Sequence, residues 1–521
     1  MHNQKGASKI SVLIIFFAVV FVVAVIGSFH FEKYQQLNYE LSALVFRYDQ
    51  SVNTTAEFKV KIKNLLNLKK FIRDPSDFIG KNWAGETNGL VQFRGNPTHT
   101  FYGTGPIGEN LKVAWRFPES EMCGKSVVGR ETKLWCGTGW TGQPVVWERK
   151  DSKTEVIFGA YDKAVHFLNA KNGERLREDF KVGDIIKGSV SLDPDGFPLL
   201  YFGSRDNKFR ILSLNEGEEA KELWALDAYD VTPTIWNDDW DGNATVVDDV
   251  LYVGGENGWM FAIKLNREMD RKGKVSVDPK ILMQFPLWTD GLLKDIGDEM
   301  VSIENSPAFY GGRVYVANGG GRVVGFDVAD IQNRIAPIVF DYWLGDDIDS
   351  SIVIDGEGML YVSAELDRDL GKNIGIGQIT KLNPYLDNPV VWTVSVDNNF
   401  GSTKERGIWA TPALYKDFLY VQSTKGKFIA IDTVDGGITW SATLPEHSWS
   451  SPLVVDDQLI VSRCDGEISF YDLSDPSKPN FLKNVKISDG CIESTPAVWN
   501  GKIYVGSRDG YFYAISGDKE R

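Results

Sequence analysis

The chain has 521 residues, enough for one very large domain or several ordinary ones, and a formal charge of -15 from 56 Lys+Arg against 71 Asp+Glu. A phosphate-binding surface needs a net basic face, and no basic run supplies one, so nucleic acid is excluded as a partner. Trp 16, Tyr 19, Phe 29 and Gly 51 fit many short strands packed through aromatics and joined by tight turns.

Residues 1–9 carry Lys5 and Lys9, and the next stretch, ISVLIIFFAVVFVVAVIGSF from Ile10 to Phe29, has no charge. About 20 apolar residues are what a helix needs to cross a bilayer, and the positive flank marks the N-terminus as cytoplasmic. This predicts a signal-anchor at 10–29 in the cell membrane, with everything after about residue 30 extracytoplasmic, in the periplasm. A cleaved signal peptide, with Val25 and Gly27 as small residues before the cut, is the rival reading; its apolar core is usually shorter, about 7–15 residues. Residues 30–90 read as a stalk or spacer. Leu41, Leu44 and Val45, then Leu65, Leu66 and Leu68, suggest two helices there.

The four cysteines form two close pairs, Cys123 with Cys136 and Cys464 with Cys491. Neither has C-x-x-C metal spacing or a following haem-attachment His, so zinc and covalent haem are unsupported. Disulfides suit an exported chain, each contributing about 3 kcal/mol; buried thiols are the other reading.

From about residue 140 the chain repeats itself. IENSPAFYGGRVYVANGGGRVVGFDV, IWATPALYKDFLYVQSTKGKFIAID and SWSSPLVVDDQLIVSRCDGEISFYDL share one plan. Each opens on small residues, then runs apolar stretch, turn, Tyr/Val-rich stretch, Gly-containing turn and third apolar stretch. Eight such units at roughly 40–60-residue spacing are the signature of four-stranded propeller blades. Fourth strands follow most units, as in KELWALD, VFDYWLG, VVWTVSV and ITWSATL, but the last unit lacks one. An orphan of the same type, LKVAWRF from Leu111 to Phe117, lies upstream of the first unit. We expect it to complete the last blade, removing an open sheet edge. The expected fold is all-β: an eight-bladed propeller over 91–521, closed by an N-terminal strand. In that arrangement Cys464, in a turn, and Cys491, in a blade-to-blade loop, fall on one face of adjacent blades and can bridge. Cys123 and Cys136 bridge beside the entry to the first blade.

The units resemble the PQQ-like beta-propeller repeat of quinoprotein alcohol dehydrogenases and of BamB, the outer-membrane assembly lipoprotein. AIDTVDGGITW at 430–440 is close to that family's A-x-D-x-x-T-G-x-x-x-W motif, NAKNGERL is a degenerate copy, and FRGNPTHTFYGTGPI at 93–107 resembles the lead-in of such exported proteins. The resemblance runs from about residue 90 to 516.

Aligning the blades on the Pro of SSP, NSP, ATP and STP places Thr141, Lys187, Asp241, Glu304, Asp349, Trp409, Trp449 and Glu493 around one channel mouth. The resemblance implies that this face holds pyrroloquinoline quinone on an aromatic floor, with calcium bound by Glu, Asn and Asp. Trp409, Trp449, Lys187, Arg205 and Arg508 would then face the cofactor. Glu304, Asn305 and Asp349 or Asp241 would supply the oxygen ligands that a hard cation prefers. NDDWDG offers a second, overlapping calcium loop, with Asn237, Asp239 and Asp241 at alternate positions and Asp248 where a twelfth ligand would fall. The alternatives are a hydrated channel lining and an Asp-rich turn. The adjacent cysteines of the dehydrogenases and the lipidated N-terminal Cys of BamB have no counterpart here. Two functions therefore stand: an anchored, non-enzymatic propeller binding an envelope protein or glycan, and a PQQ- and calcium-dependent dehydrogenase of exported substrates.

Overall fold

Runs whose side chains alternate about a pleat become strands, and the turns between them take the residues that positive φ requires. Asn500 and Gly501, at φ 50° and 75°, form the left-handed pair that joins two strands of the last blade. The computed structural model describes residues 73–128, 131–139, 142–368, 377–396 and 406–518. The expected anchor at 10–29 and the two helices of the spacer lie outside these residues, as does Thr141. No helix among the described residues is long and apolar enough to cross a membrane.

The repeats form eight antiparallel sheets, built in sequence order from the axis outward except in the last blade, whose outer strand comes from the N-terminal side. Blade 6 is typical: Ala413–Tyr415, Phe418–Gln422, Lys427–Asp432 and Ile438–Thr443. Its second and third strands are buried on both faces, because neighbouring blades cover them. Its outer strand is largely exposed. The buried Tyr, Val, Ile and Phe side chains between blades form the core, which is divided into clusters that each span two to four neighbouring blades rather than one central mass.

The orphan strand does close the ring. Glu109–Phe117 pairs with Phe512–Asp518 as the outer strand of blade 8, with Trp115 opposite Ala514 and Phe117 opposite Phe512. Trp115 also donates from Nε1 to Ala170 O of blade 1 at 3.2 Å, so one indole ties the last blade to the first. Cys123–Cys136 staples the hairpin Cys123–Val128 and Glu131–Cys136 that follows this strand. Cys464–Cys491 links blades 7 and 8.

Residues 73–90, read from sequence as the end of a spacer, belong to the propeller. The Trp83 indole is buried and donates to Val246 O at 3.3 Å, and Asn88–Leu90 adds an inner fifth strand to blade 1. The chain then crosses the axis. Val91 O accepts from Leu192 N of blade 2, Pro97 O from Phe309 N of blade 4, and Thr98 O from Ile354 N of blade 5. Thr104 N donates to Val498 O of blade 8. Phe93 N donates to Asn243 Oδ1 at the head of blade 3, and Arg94 N to Gln143 Oε1 at the head of blade 1. The fully buried Arg94 guanidinium donates to Pro452 O and Pro412 O, both at 2.6 Å, in blades 7 and 6. This segment is a plug that bonds to all eight blades, and it shuts one end of the channel.

Candidate functional site

Repetition of one local geometry builds the open end. From blade 2 to blade 8, the turn between the second and third strands donates a backbone hydrogen bond to the residue two before the channel position. Arg205 N to Ile185 O, Glu256 N to Asp239 O, Glu365 N to Asp347 O and Arg508 N to Cys491 O are four of these. Each turn residue is thereby held at the mouth beside the channel residue of its own blade. One layer deeper, hydroxyls carry a circular relay. Asn243 N donates to Ser306 Oγ at 3.2 Å, Ser306 N to Ser351 Oγ at 2.9 Å, Ser351 N to Thr411 Oγ1 at 2.9 Å, and Thr411 N to Ser451 Oγ at 3.0 Å. Phe93 of the plug is the floor of the recess so enclosed. The result is a small cup with Asp241, Glu304, Asp349, Trp409 and Trp449 in its wall.

The wall is chemically divided. On the side of blades 2 and 3, Lys187 Nζ lies 2.5 Å from Asp241, 3.0 Å from Glu256 and 3.6 Å from Asp239, while Arg205 Nε reaches Asp239 at 3.0 Å. Asn237 donates to Glu256 Oε2 at 2.6 Å. Burial opposes the Lys187 charge, but Asp241, Glu256 and Asp239 outweigh it and hold the ammonium well above its ordinary range. Burial also pushes Asp239 up to about 7, with Glu256 adding to the rise. Three carboxyl groups face two cations here; burial drives Asp241 up, and Lys187 opposes the rise. Glu256 is lowered, since Lys187 and a hydrogen bond with Asp241 overcome its burial. This side is a closed ionic knot.

On the side of blades 4 and 5 the balance is lost. Asp347, Asp349 and Glu365 bring oxygens within 4.8 Å of one another. No ion pair among the described residues reaches these three or Glu304; the Arg368 guanidinium nearby is held by Asp298 at 2.8 Å and Asp346 at 3.5 Å. Asp347 is 7% exposed, and its Oδ1 accepts no hydrogen bond. Burial, and then Asp349, raise Glu304, Asp347 and Glu365 well above the carboxylate range. Asp349 is raised by burial and restrained by its hydrogen bond with Glu365.

Blades 6 and 7 supply the apolar side. The Trp409 and Trp449 rings stack with centroids 5.0 Å apart, and the His447 ring lies 5.3 Å from Trp449. In blade 8, Arg508 pairs with Glu493 at 3.3 Å and lies over the rings of Trp135 and Tyr161.

The structure thus brings Lys187, Arg205, Arg508, Asp239, Asp241, Glu304, Asp349, Trp409 and Trp449 to one mouth. It does not present Asn305 there. That amide donates to Ala317 O and Ile348 O at 2.9 and 3.0 Å and accepts from Ala317 N, so it is spent on the wall. Asp248 is separated from Asp241 by the innermost strand Thr245–Val247 and sits in the turn at its other end, so the expected calcium loop does not form. Glu256, Glu365 and Asp347 escaped the sequence reading. Glu256 and Glu365 occupy the same turn position as Arg205 and Arg508, and that repeat position was the available signal.

Calcium and a quinone fit this mouth poorly. Of the expected ligands, Asn305 is consumed and Asp241 is bound to Lys187. PQQ is a polycarboxylate, and Lys187, Arg205 and Arg508 are each already paired with carboxyl groups of the protein.

Comparison with known proteins agrees on the fold. The family model described as outer membrane protein assembly factor BamB matches residues 377–478. BamB from Moraxella catarrhalis superposes with a TM-score of 0.51 at 14% identity, covering 78% of this chain and 99% of that one. Quinohemoprotein alcohol dehydrogenase from Comamonas testosteroni gives 0.52 at 13% identity, covering 83% and 81%. Sqt1 of Saccharomyces cerevisiae gives 0.54 at 9%, covering 79% and 100%. No curated protein matches the sequence. Over residues 377–478 the blades are similar to PQQ-like beta-propeller repeats, and the solved structures share the propeller fold.

Proposed function

We propose that the chain is a binding module of the cell envelope, anchored by its N-terminal apolar segment, whose partner docks at the open mouth of the cup. The observation that carries this reading is the asymmetry of the axis: the plug blocks one end, and the other presents uncompensated carboxylates beside stacked indoles. A recess lined by a few convergent polar groups and aromatics is the usual form of a binding site. A glycan partner would use the same indoles, and a protein partner the carboxylates as well.

The second reading, a PQQ- and calcium-dependent dehydrogenase of exported substrates, is favoured by the propeller shared with the quinohemoprotein dehydrogenase. Adding quinone and calcium to the purified full-length protein separates the two. The binding reading expects no quinone absorbance to co-elute with protein and no alcohol-dependent bleaching; either would overturn it. In cells, the binding reading expects Glu304→Gln with Asp349→Asn to fail to restore the phenotype of a deletion. Val434→Asp, on the exposed far rim, should restore it. Full rescue by the mouth variant would sink the reading.

A further inference from the structure

We infer that the group recognised in the cup is an organic cation, a lysine or arginine side chain presented by a protein partner. This rests on the docking reading and names its ligand.

Three independent observations converge. The first is charge: Glu304 and Asp349 line the recess with no ion pair among the described residues, while Lys187 is fully engaged by Asp241, Glu256 and Asp239 on the other side. The second is a buried polar group without a partner. Asp347 stands within 4.8 Å, oxygen to oxygen, of Asp349 and Glu365, and its Oδ1 accepts no hydrogen bond. Such a group costs about 1–3 kcal/mol to leave unsatisfied; it stands beside Asp349, just behind the cup's lining. The third is the lining: the same cup carries the stacked Trp409 and Trp449 rings and Phe93 beside the carboxyl groups.

A metal ion would use the carboxylates and gain nothing from two indoles. A basic side chain uses both halves: its aliphatic stem covers the indole faces, and its charged head reaches Glu304 and Asp349, with Asp347 and Glu365 behind. Cation–π attraction from the rings adds to the carboxylate field. Long basic side chains bury their stems in this way while keeping the head in a polar site.

The test titrates the full-length protein in detergent with N-acetyl-lysine methylamide and N-acetyl-arginine methylamide, following tryptophan emission and heat of binding. The control probe is the Nε-acetylated lysine analogue, which keeps the stem and removes the charge. Saturable binding of a charged probe is expected, at least tenfold weaker for the neutral analogue. It should weaken at least tenfold in Glu304→Gln with Asp349→Asn, isosteric changes that spare the fold, and severalfold in Trp449→Tyr. Equal binding of the neutral analogue would overturn the inference. So would binding of calcium that excludes the charged probes and is indifferent to Trp449→Tyr, because that describes a metal site. Should the charged probes fail to bind wild-type protein while the mouth variant still fails to rescue cells, docking stands and this choice of ligand falls.

Discussion

Glu304 shows how burial turns a side chain into a pH-dependent liability. Burial and Asp349 raise its carboxyl in the folded state, so the folded chain binds more protons than the unfolded one. Stability contributed this way is present at low pH and lost as pH rises from the unfolded value, about 4.3, toward the folded one. Glu304→Gln should therefore raise stability at pH 7.5 and change little at pH 4. Thermal melts of both proteins across that range check this; a variant less stable than its parent at pH 7.5 would contradict it. His166 behaves with the opposite charge type but the same slope. Burial opposes its charge, yet hydrogen bonds to Asp162 and Asp179, both at 3.0 Å, raise it. Its contribution is complete below about pH 6.5 and lost as pH rises through the folded value. His166→Gln should remove that decline from the melting curve and lower stability at pH 6. At this scale the channel residues were legible because a proline marks their register in several blades. Asn305 was misread because sequence spacing does not tell which side of a strand's entry turns into the wall.

Elements that close the ring carry more free energy than their length suggests. Trp115 is half-buried, stacks on Phe512 at 6.2 Å and bonds to blade 1, so Trp115→Ala should cost about 2–3 kcal/mol, below the roughly 3–5 of a fully buried aromatic. Chemical denaturation measures it, and a cost under about 1 kcal/mol would mean that the seam is not where the ring is secured. Arg94→Met keeps the stem of the plug's central side chain but leaves Pro412 O and Pro452 O without their donor. A loss of about 1–3 kcal/mol for each unsatisfied carbonyl is expected. Removing the blade 7 to blade 8 bridge by Cys464→Ser with Cys491→Ser should cost about 3 kcal/mol. The closing strand was legible because a three-stranded last blade implies a missing partner. The plug was not, because its contacts are largely main-chain bonds and carry no side-chain period along the sequence.

At the scale of the whole molecule, the eightfold repeat supplies a frame and the departures from repetition supply the site. Eight identical channel residues would make a uniform lining. Here Lys187 and Asp241 lie on one side, Glu304 and Asp349 on the next, and Trp409 and Trp449 beyond them, so the mouth has a charged half and an apolar half. The plug makes that mouth the only open end of the axis among the described residues. Composition and repeat spacing made the number of blades legible. They could not reveal which carboxylates lack a cation, since Glu256 and Lys187 meet across 69 residues of sequence.

The most direct measurement is site-specific photo-crosslinking in the native membrane. A photoreactive residue replaces Glu446, half-exposed on the mouth side, or Val434, 74% exposed on the opposite rim. We expect a discrete protein adduct from position 446 that disappears when Glu304→Gln and Asp349→Asn are combined with it, and none from position 434. Adducts from 434 alone, or adducts from 446 that persist unchanged in the double variant, would contradict the assignment of the acidic cup as the docking site.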